Sequence, residues 1–217
     1  MKKITLLLFA LMAIASGARA WEDNGVEFVD LGLPSGTLWA TCNLGASSPE
    51  ESGYYYAWGE HTPRADFQRT NYSYYDTDTH SYTEYCAADG KTVLLPKDYA
   101  FHLKGKWALP DDEQIAELLD ENYTTSVWTT QNGVSGRLVT SNINGKSIFL
   151  PAGGIKDNEG VLSNESKYGF YLTSDQEEGY VFELSFYNEF FGRAYYIGSV
   201  PMDYQCNIRP VAPKVQQ

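Results

Sequence analysis

His61, His80 and His102 are the only imidazoles in the 217-residue chain, and none has the H-E-x-x-H spacing that sets two ligands and a base on one helical face. Nucleophile chemistry finds no better pattern. Ser35 and Ser135 each precede a glycine, but neither stands in a G-x-S-x-G elbow, and no histidine follows Cys206. Glu51, Glu60, Glu177, Glu178, Glu183 and Glu189 could converge as a carboxylate pair for glycoside cleavage, although nothing in their spacing asks for it. Asp76-Thr77-Asp78-Thr79-His80 spaces two carboxylates as at the start of a calcium loop, without the central Gly and the closing bidentate Glu. Asp76 and Asp78 are therefore candidate calcium ligands, set against the alternative of a solvated acidic loop, and no other cofactor is indicated. The expectation is a protein without catalysis.

Thiol chemistry rests on Cys42, Cys86 and Cys206. No C-x-x-C occurs, so neither a redox pair nor a four-thiolate zinc site is indicated. In Thr37 to Asn43 the even positions Leu38, Ala40 and Cys42 form an apolar set, with Trp39 on the other side beside Thr37 and Thr41. In Tyr204 to Arg209 the apolar set is Tyr204, Cys206 and Ile208. Cys42 and Cys206 thus both face a core, and two buried free thiols or one bridge between them both stay open, with Cys86 left over.

Binding is better provided for. Sugar rings stack on Tyr and Trp faces and are oriented by Asn, Asp, Glu and Gln, and aromatics make up 15% of the chain, with 17 Tyr and 5 Trp. Tyr72, Tyr74 and Tyr75 sit in a polar-aromatic stretch, Asn188 and Glu189 precede Phe190 and Phe191, and Tyr195-Tyr196 follow. These residues except the two phenylalanines are the candidate binding set; Phe190 and Phe191 fit better as strand ends packing on the sheet. A secreted glycan- or surface-binding module is the first functional class, and a protein–protein assembly domain the second. A formal charge of −12 excludes nucleic acid and anionic membrane surfaces as partners, since both reward clustered Lys and Arg. Nothing in the chain specifies an oligomeric state.

Lys2 and Lys3, the apolar run Ile4 to Ala15 and Ala18-Arg19-Ala20 compose a secretory signal peptide, residues 1–20, too short to span a bilayer. Cleavage after Ala20 leaves residues 21–217 as one domain, secreted or periplasmic, with no integral membrane segment; losing Lys2, Lys3 and Arg19 moves the charge from −12 to −15.

The elements that must position these groups centre on Gly105 to Leu150. Pro110 ends an extended Trp107-Ala108-Leu109, Asp111 and Gln114 form a capping box, and Ile115, Leu118 and Leu119 make an apolar stripe about three turns long. Such a helix must lie on a sheet. Hairpin signals at Asn132-Gly133 and Asn144-Gly145 separate β-prone runs, Pro151 to Gly154 stops them, and Tyr180 to Phe186 alternates as a strand with one buried face. Another strand is expected over Ala194 to Gly198, and Cys206 to Val211 closes the domain. Gly59 to about Pro96 has no sustained period; its tyrosines fit either a mobile binding loop or, by a small margin, a strap anchored over the domain. The order is α+β.

Val29-Asp30-Leu31-Gly32-Leu33-Pro34-Ser35-Gly36-Thr37-Leu38-Trp39-Ala40-Thr41-Cys42-Asn43-Leu44-Gly45-Ala46 and Tyr55-Tyr56-Ala57-Trp58-Gly59-Glu60 resemble the opening of the Fibrobacter succinogenes major paralogous domain, found in secreted and surface proteins of Bacteroidetes. Gly105 to Pro110, Trp128 to Gly133, Ser147 to Gly154 and Asn207-Ile208-Arg209-Pro210-Val211 extend the likeness over essentially the whole mature chain. Ala108, Asp111 and Tyr171-Leu172-Thr173-Ser174 depart from it. The resemblance implies a fold similar to C-type-lectin-like and formylglycine-generating-enzyme domains, with the N- and C-terminal strands paired, which would bring Cys42 and Cys206 together as a candidate disulfide. It implies no activity; a formylglycine-generating site would need a second cysteine beside Cys206. Trp39, Trp107, Trp128 and Arg209 are expected to serve the scaffold.

Overall fold

The computed structural model describes residues 21–23, 26–60, 63–64, 66–83, 107–177, 180–194 and 200–213. The signal-peptide reading, Cys86, His61, His102 and Tyr195-Tyr196 lie outside them.

The fold is α+β: among the described residues, one α-helix and several antiparallel sheets. One sheet runs in the order Trp21–Asp23, Val26–Asp30, Thr37–Ala40, Val211–Pro213, so the last strand pairs with one of the first, Val211 opposite Trp39 and Pro213 opposite Thr37. A second joins Leu162–Ser163, Ile155–Lys156, Gln205–Cys206 and Tyr56–Ala57. Thr124–Gln131, Val134–Ser141 and Ser147–Pro151 form a meander, and Gly169–Glu177, Tyr180–Tyr187 and Phe190–Ala194 form a longer sheet to which Val200–Pro201 adds along Tyr180 and Val181. No helix among the described residues is long and apolar enough to cross a membrane.

Thr37–Ala40 is buried on both faces and separates two apolar clusters. Leu38 and Ala40 enter one with Trp58, Leu172 and Ile208, whereas Trp39 enters the other with Ile115, Leu118, Val139 and Leu150. The alternation read from this strand therefore does not mark an inside and an outside, because both sides are inside. Cys42 lies beyond the strand's end and is only half-buried, so the inward position expected for it is not realised. Cys206 is fully buried and faces Tyr56 across its own ladder. Both are free thiols, and the Cys42–Cys206 disulfide is not formed.

Asp111 and Gln114 close the capping box: Asp111 Oδ1 accepts from the Gln114 N–H at 2.8 Å, and Gln114 Oε1 from the Asp111 N–H at 3.0 Å. The helix Asp112–Leu119 buries Ile115 and Leu118 completely, with Leu119 half-buried at its edge. Its outer face is also tied down. Glu117 receives the Ser35 N–H at 2.9 Å and the Ser35 hydroxyl at 2.6 Å, which docks the Leu33-Pro34-Ser35-Gly36 turn onto the helix.

Arg209, 1% exposed, gathers segments remote in sequence. Nε donates to Asn43 Oδ1 at 2.9 Å, one terminal nitrogen to the Ala40 and Thr41 carbonyls at 2.9 and 2.8 Å, and the other to the Phe149 carbonyl at 2.7 Å. Asn43 in turn donates to the Ser52 carbonyl and to the Tyr171 hydroxyl, which donates to the Pro151 carbonyl at 2.7 Å. A planar guanidinium can satisfy acceptors spread over that angle, as expected of a scaffold arginine.

Candidate functional site

The tyrosine-rich segment belongs to the body of the protein. Tyr72, 2% exposed, donates its hydroxyl to the Trp58 carbonyl at 2.6 Å and packs edge-on against Tyr74 and Tyr82. Tyr75 and Tyr82 meet edge-on at 5.6 Å, both under the Arg69 guanidinium. Tyr72 is a core residue and presents no ring face to a ligand, while Tyr74 and Tyr75 are half-buried against the same cluster. The anchored strap is the arrangement found over residues 66–83. Seventeen tyrosines in one chain are consistent with this, since a phenol can fill a core while its hydroxyl reaches a carbonyl.

Asp76 is likewise committed to the backbone. Its Oδ1 accepts the N–H groups of Asp78 at 2.8 Å and Thr79 at 3.1 Å, which holds its carboxyl below the usual range. Asp76 and Asp78 thus lie in a turn closed through Asp76 Oδ1, and no group of three or more His, Cys, Asp or Glu suited to a metal occurs among the described residues.

The candidate site that remains is the end of the Tyr180–Tyr187/Phe190–Ala194 hairpin. Phe186 pairs with Phe191, and on the other face Tyr187 pairs with Phe190 across the two-residue connection Asn188-Glu189. Period-two geometry sends the first pair inward: Phe186 is fully buried against Trp128, Tyr171 and Phe191. The second pair is left outside, Tyr187 39% and Phe190 38% exposed, with ring centroids 5.7 Å apart and planes 24° apart. Tyr168 extends the row, 5.3 Å from Tyr187, and Phe170 lies 6.0 Å beyond it with its plane within 15° of Tyr168. Gly192 explains how Phe190 lies down on the sheet, because a Cβ there would come within 2.7 Å of its ring. Asn188 and Glu189 are exposed beside this row.

Arg137 fastens the tip from the meander. One terminal nitrogen donates to the Tyr187 and Asn188 carbonyls, both at 2.9 Å, and the guanidinium sits 5.7 Å from the Phe191 ring. Burial lowers its pKa.

Of the sequence candidates, Asn188 and Glu189 are therefore at this surface, whereas Tyr72, Tyr74 and Tyr75 are at the strap, near Asp203. Phe190 and Phe191 divide, one exposed and one packed. Tyr168 and Tyr187 were not among the sequence candidates. The signal for Tyr187 was present: two β-prone runs separated by two polar residues form a hairpin, and the outermost pair is then out of phase with the buried Phe186.

An open cleft of about 420 Å³ lies elsewhere, lined by Val26, Glu27, Thr41, Cys42, Leu44 and Ser47 among others. Glu183 is a buried carboxyl: 1% exposed, it is pushed up to about 8 by burial, with the Val200 and Glu183 N–H groups opposing, and neither oxygen completes a hydrogen bond of good geometry. Its enclosure keeps it from any substrate in this conformation.

Comparison with protein-family models, with curated proteins and with solved structures finds no match to this chain.

Proposed function

We propose that the mature chain is an exported, non-catalytic glycan-binding module of the Fibrobacter-major type, with a C-type-lectin-like arrangement of its sheets and no metal requirement. The recognition surface is the row Tyr168, Tyr187 and Phe190, with Asn188 and Glu189 as the orienting polar groups. The observation that carries this is the pair Tyr187 and Phe190: two large rings left more than a third exposed on a rigid hairpin, with an amide and a carboxylate between them. A sugar's apolar face suits such rings, and its hydroxyls suit the turn side chains. The terminal strand pairing and the convergence of Asn43, Pro151 and Arg209 in one buried network support the family assignment, since those residues lie in the motifs that carry the resemblance.

The test is a glycan and polysaccharide array on the mature protein, with and without calcium, followed by Tyr187→Ala and Phe190→Ala. Loss of one stacking ring is expected to weaken retention about tenfold, near the upper end of an aromatic contact's worth. Melting temperatures should stay within a few degrees of the parent. Absence of binding across a broad array, together with recovery of a discrete secreted or surface protein, would replace this reading with an assembly domain.

A further inference from the structure

The meander has an open edge. Asn132 and Gly133 turn the chain with φ of 47° and 87°, so Gln131 and Val134 form the closing hydrogen-bonded pair of a two-residue hairpin. Counting back, the N–H and C=O groups of Thr125, Val127 and Thr129 face Val134–Ser141, and those of Ser126, Trp128 and Thr130 face away. The flanking bonds agree: the Asn142 N–H donates to the Tyr123 carbonyl inside the ladder, and the outward Thr124 N–H turns back to Asp120. Among the described residues nothing bonds the outward backbone groups of Ser126, Trp128 and Thr130.

Several other edges are managed. Ala108 exchanges both backbone bonds with Val211 on the Val211–Pro213 edge, at 2.8 and 2.9 Å. Leu172 and Phe170 bond to Asn207 on the Gly169–Glu177 edge, Trp21–Asp23 carries two acids, and Ser147–Pro151 ends in proline. Thr124–Gln131 has none of the usual protections, neither charge, proline nor bulge. From Asn122 to Gly136 the chain has no charged residue at all, within a protein of −12 net charge. Val127 on its solvent face is 49% exposed.

We propose that this edge pairs with the same edge of a second copy, antiparallel, about a two-fold axis at Trp128. That register sets Trp128 opposite its own copy and Ser126 opposite Thr130, so every outward donor meets an outward acceptor. Val127 then stands beside Thr129, and Thr125 beside Gln131. The choice of a second copy follows from charge. Two molecules this acidic repel over most of their surfaces, whereas this strip carries no charge of its own from Asn122 to Gly136, and Glu50 reaches it only at the Asn132 turn. A single shared strand buries less than a standard interface, so the dimer is weak.

Sedimentation velocity of the mature protein from 10 µM to 1 mM (on the order of the range a weak interface requires) should show a concentration-dependent monomer–dimer shift. Amide exchange should show Ser126, Trp128 and Thr130 gaining protection with concentration while Thr125, Val127 and Thr129 stay protected throughout. Thr130→Pro removes an outward donor and no inward one, and Val127→Lys adds a charge on the solvent face; each should abolish the shift with melting unchanged within a few degrees. A monomer at every concentration overturns the proposal, as does a dimer that both variants leave intact. A protein that stays monomeric but binds an extended peptide, lost in Thr130→Pro, overturns self-pairing in favour of strand addition by another chain.

Discussion

The Tyr82 hydroxyl donates to Asp203 Oδ1 at 2.6 Å, and Arg69 Nε takes the other oxygen of that carboxylate at 2.7 Å. Asp203 is fully buried, so a surface strap is held by a carboxylate of the core. Tyr82→Phe removes one charge-assisted hydrogen bond and leaves a buried acceptor short of a donor, an expected cost of about 1.5–3 kcal/mol. Urea unfolding of the variant measures it. A midpoint equal to the parent's would show that the strap is not part of the cooperative fold.

Glu183 makes stability depend on pH. Its carboxyl sits near 8 in the folded chain against 4.5 when free, so the folded state holds a proton that the unfolded state has lost. Between these values stability falls as pH rises, by about 1.4 kcal/mol per unit. Glu60 and Asp175 are also raised, chiefly by burial, and tilt the curve the same way, so the informative quantity is the difference between wild type and Glu183→Gln. Denaturation curves from pH 5 to 8 should converge at the acid end and separate with increasing pH, the variant being the more stable at pH 8. Parallel curves would mean that Glu183 is ionised and solvated in the fold.

The helix offers a graded series. Leu118→Ala should cost about 2–5 kcal/mol through lost burial and a residual cavity. Glu117→Ala forfeits both bonds that Ser35 donates, one of them from its backbone N–H, at an expected cost of about 1–2 kcal/mol. Glu113→Ala on the exposed side should lie within about 0.5 kcal/mol of zero. Chemical denaturation midpoints order the three.

The two described thiols should differ in access. Cys42 lines an open cleft and is half-buried, whereas Cys206 is fully enclosed and its thiol is pushed well above the usual range by burial, with the Glu183 carboxyl adding to the shift. Alkylation of the native protein followed by peptide mapping should label Cys42 and spare Cys206 until denaturant is added. Recovery of a Cys42–Cys206 linked peptide without reductant would restore the bridge that the structure lacks.

The capping box, the meander and the Asn132-Gly133 turn were legible because each is a local device: a side chain bonding its own helix end, or a backbone needing positive φ. The pairing of the first and last strands came from the family resemblance, and no local pattern carries it. Trp39 was legible as a scaffold residue, but not that Thr37–Ala40 has a core on each side, since alternation reports only a difference between the two. The strap was hardest to read. Tyr72 fills a core because its hydroxyl reaches the Trp58 carbonyl and because Tyr82, packed against it, is held by Asp203 more than a hundred residues on, and no local pattern announces either. The phase of Tyr187 against Phe186 was legible, whereas its row was not, because Tyr168 joins it from the segment just before Gly169–Glu177.

Arg209 bonds Ala40 and Thr41 across more than 160 residues of chain, and the strand just after it supplies the neighbour of Thr37–Ala40. A polypeptide emerging amino end first can pair Thr37–Ala40 with Val26–Asp30 at once, but the other edge of that strand stays open, and the Asn43 side chain lacks its cation, until nearly everything else has appeared. Contacts of such long separation slow folding. For the exported chain proposed above, that delay keeps the centre of the molecule open until the tail has crossed. Removing residues 205–217 should accordingly leave a chain that never acquires cooperative unfolding, however long it is given.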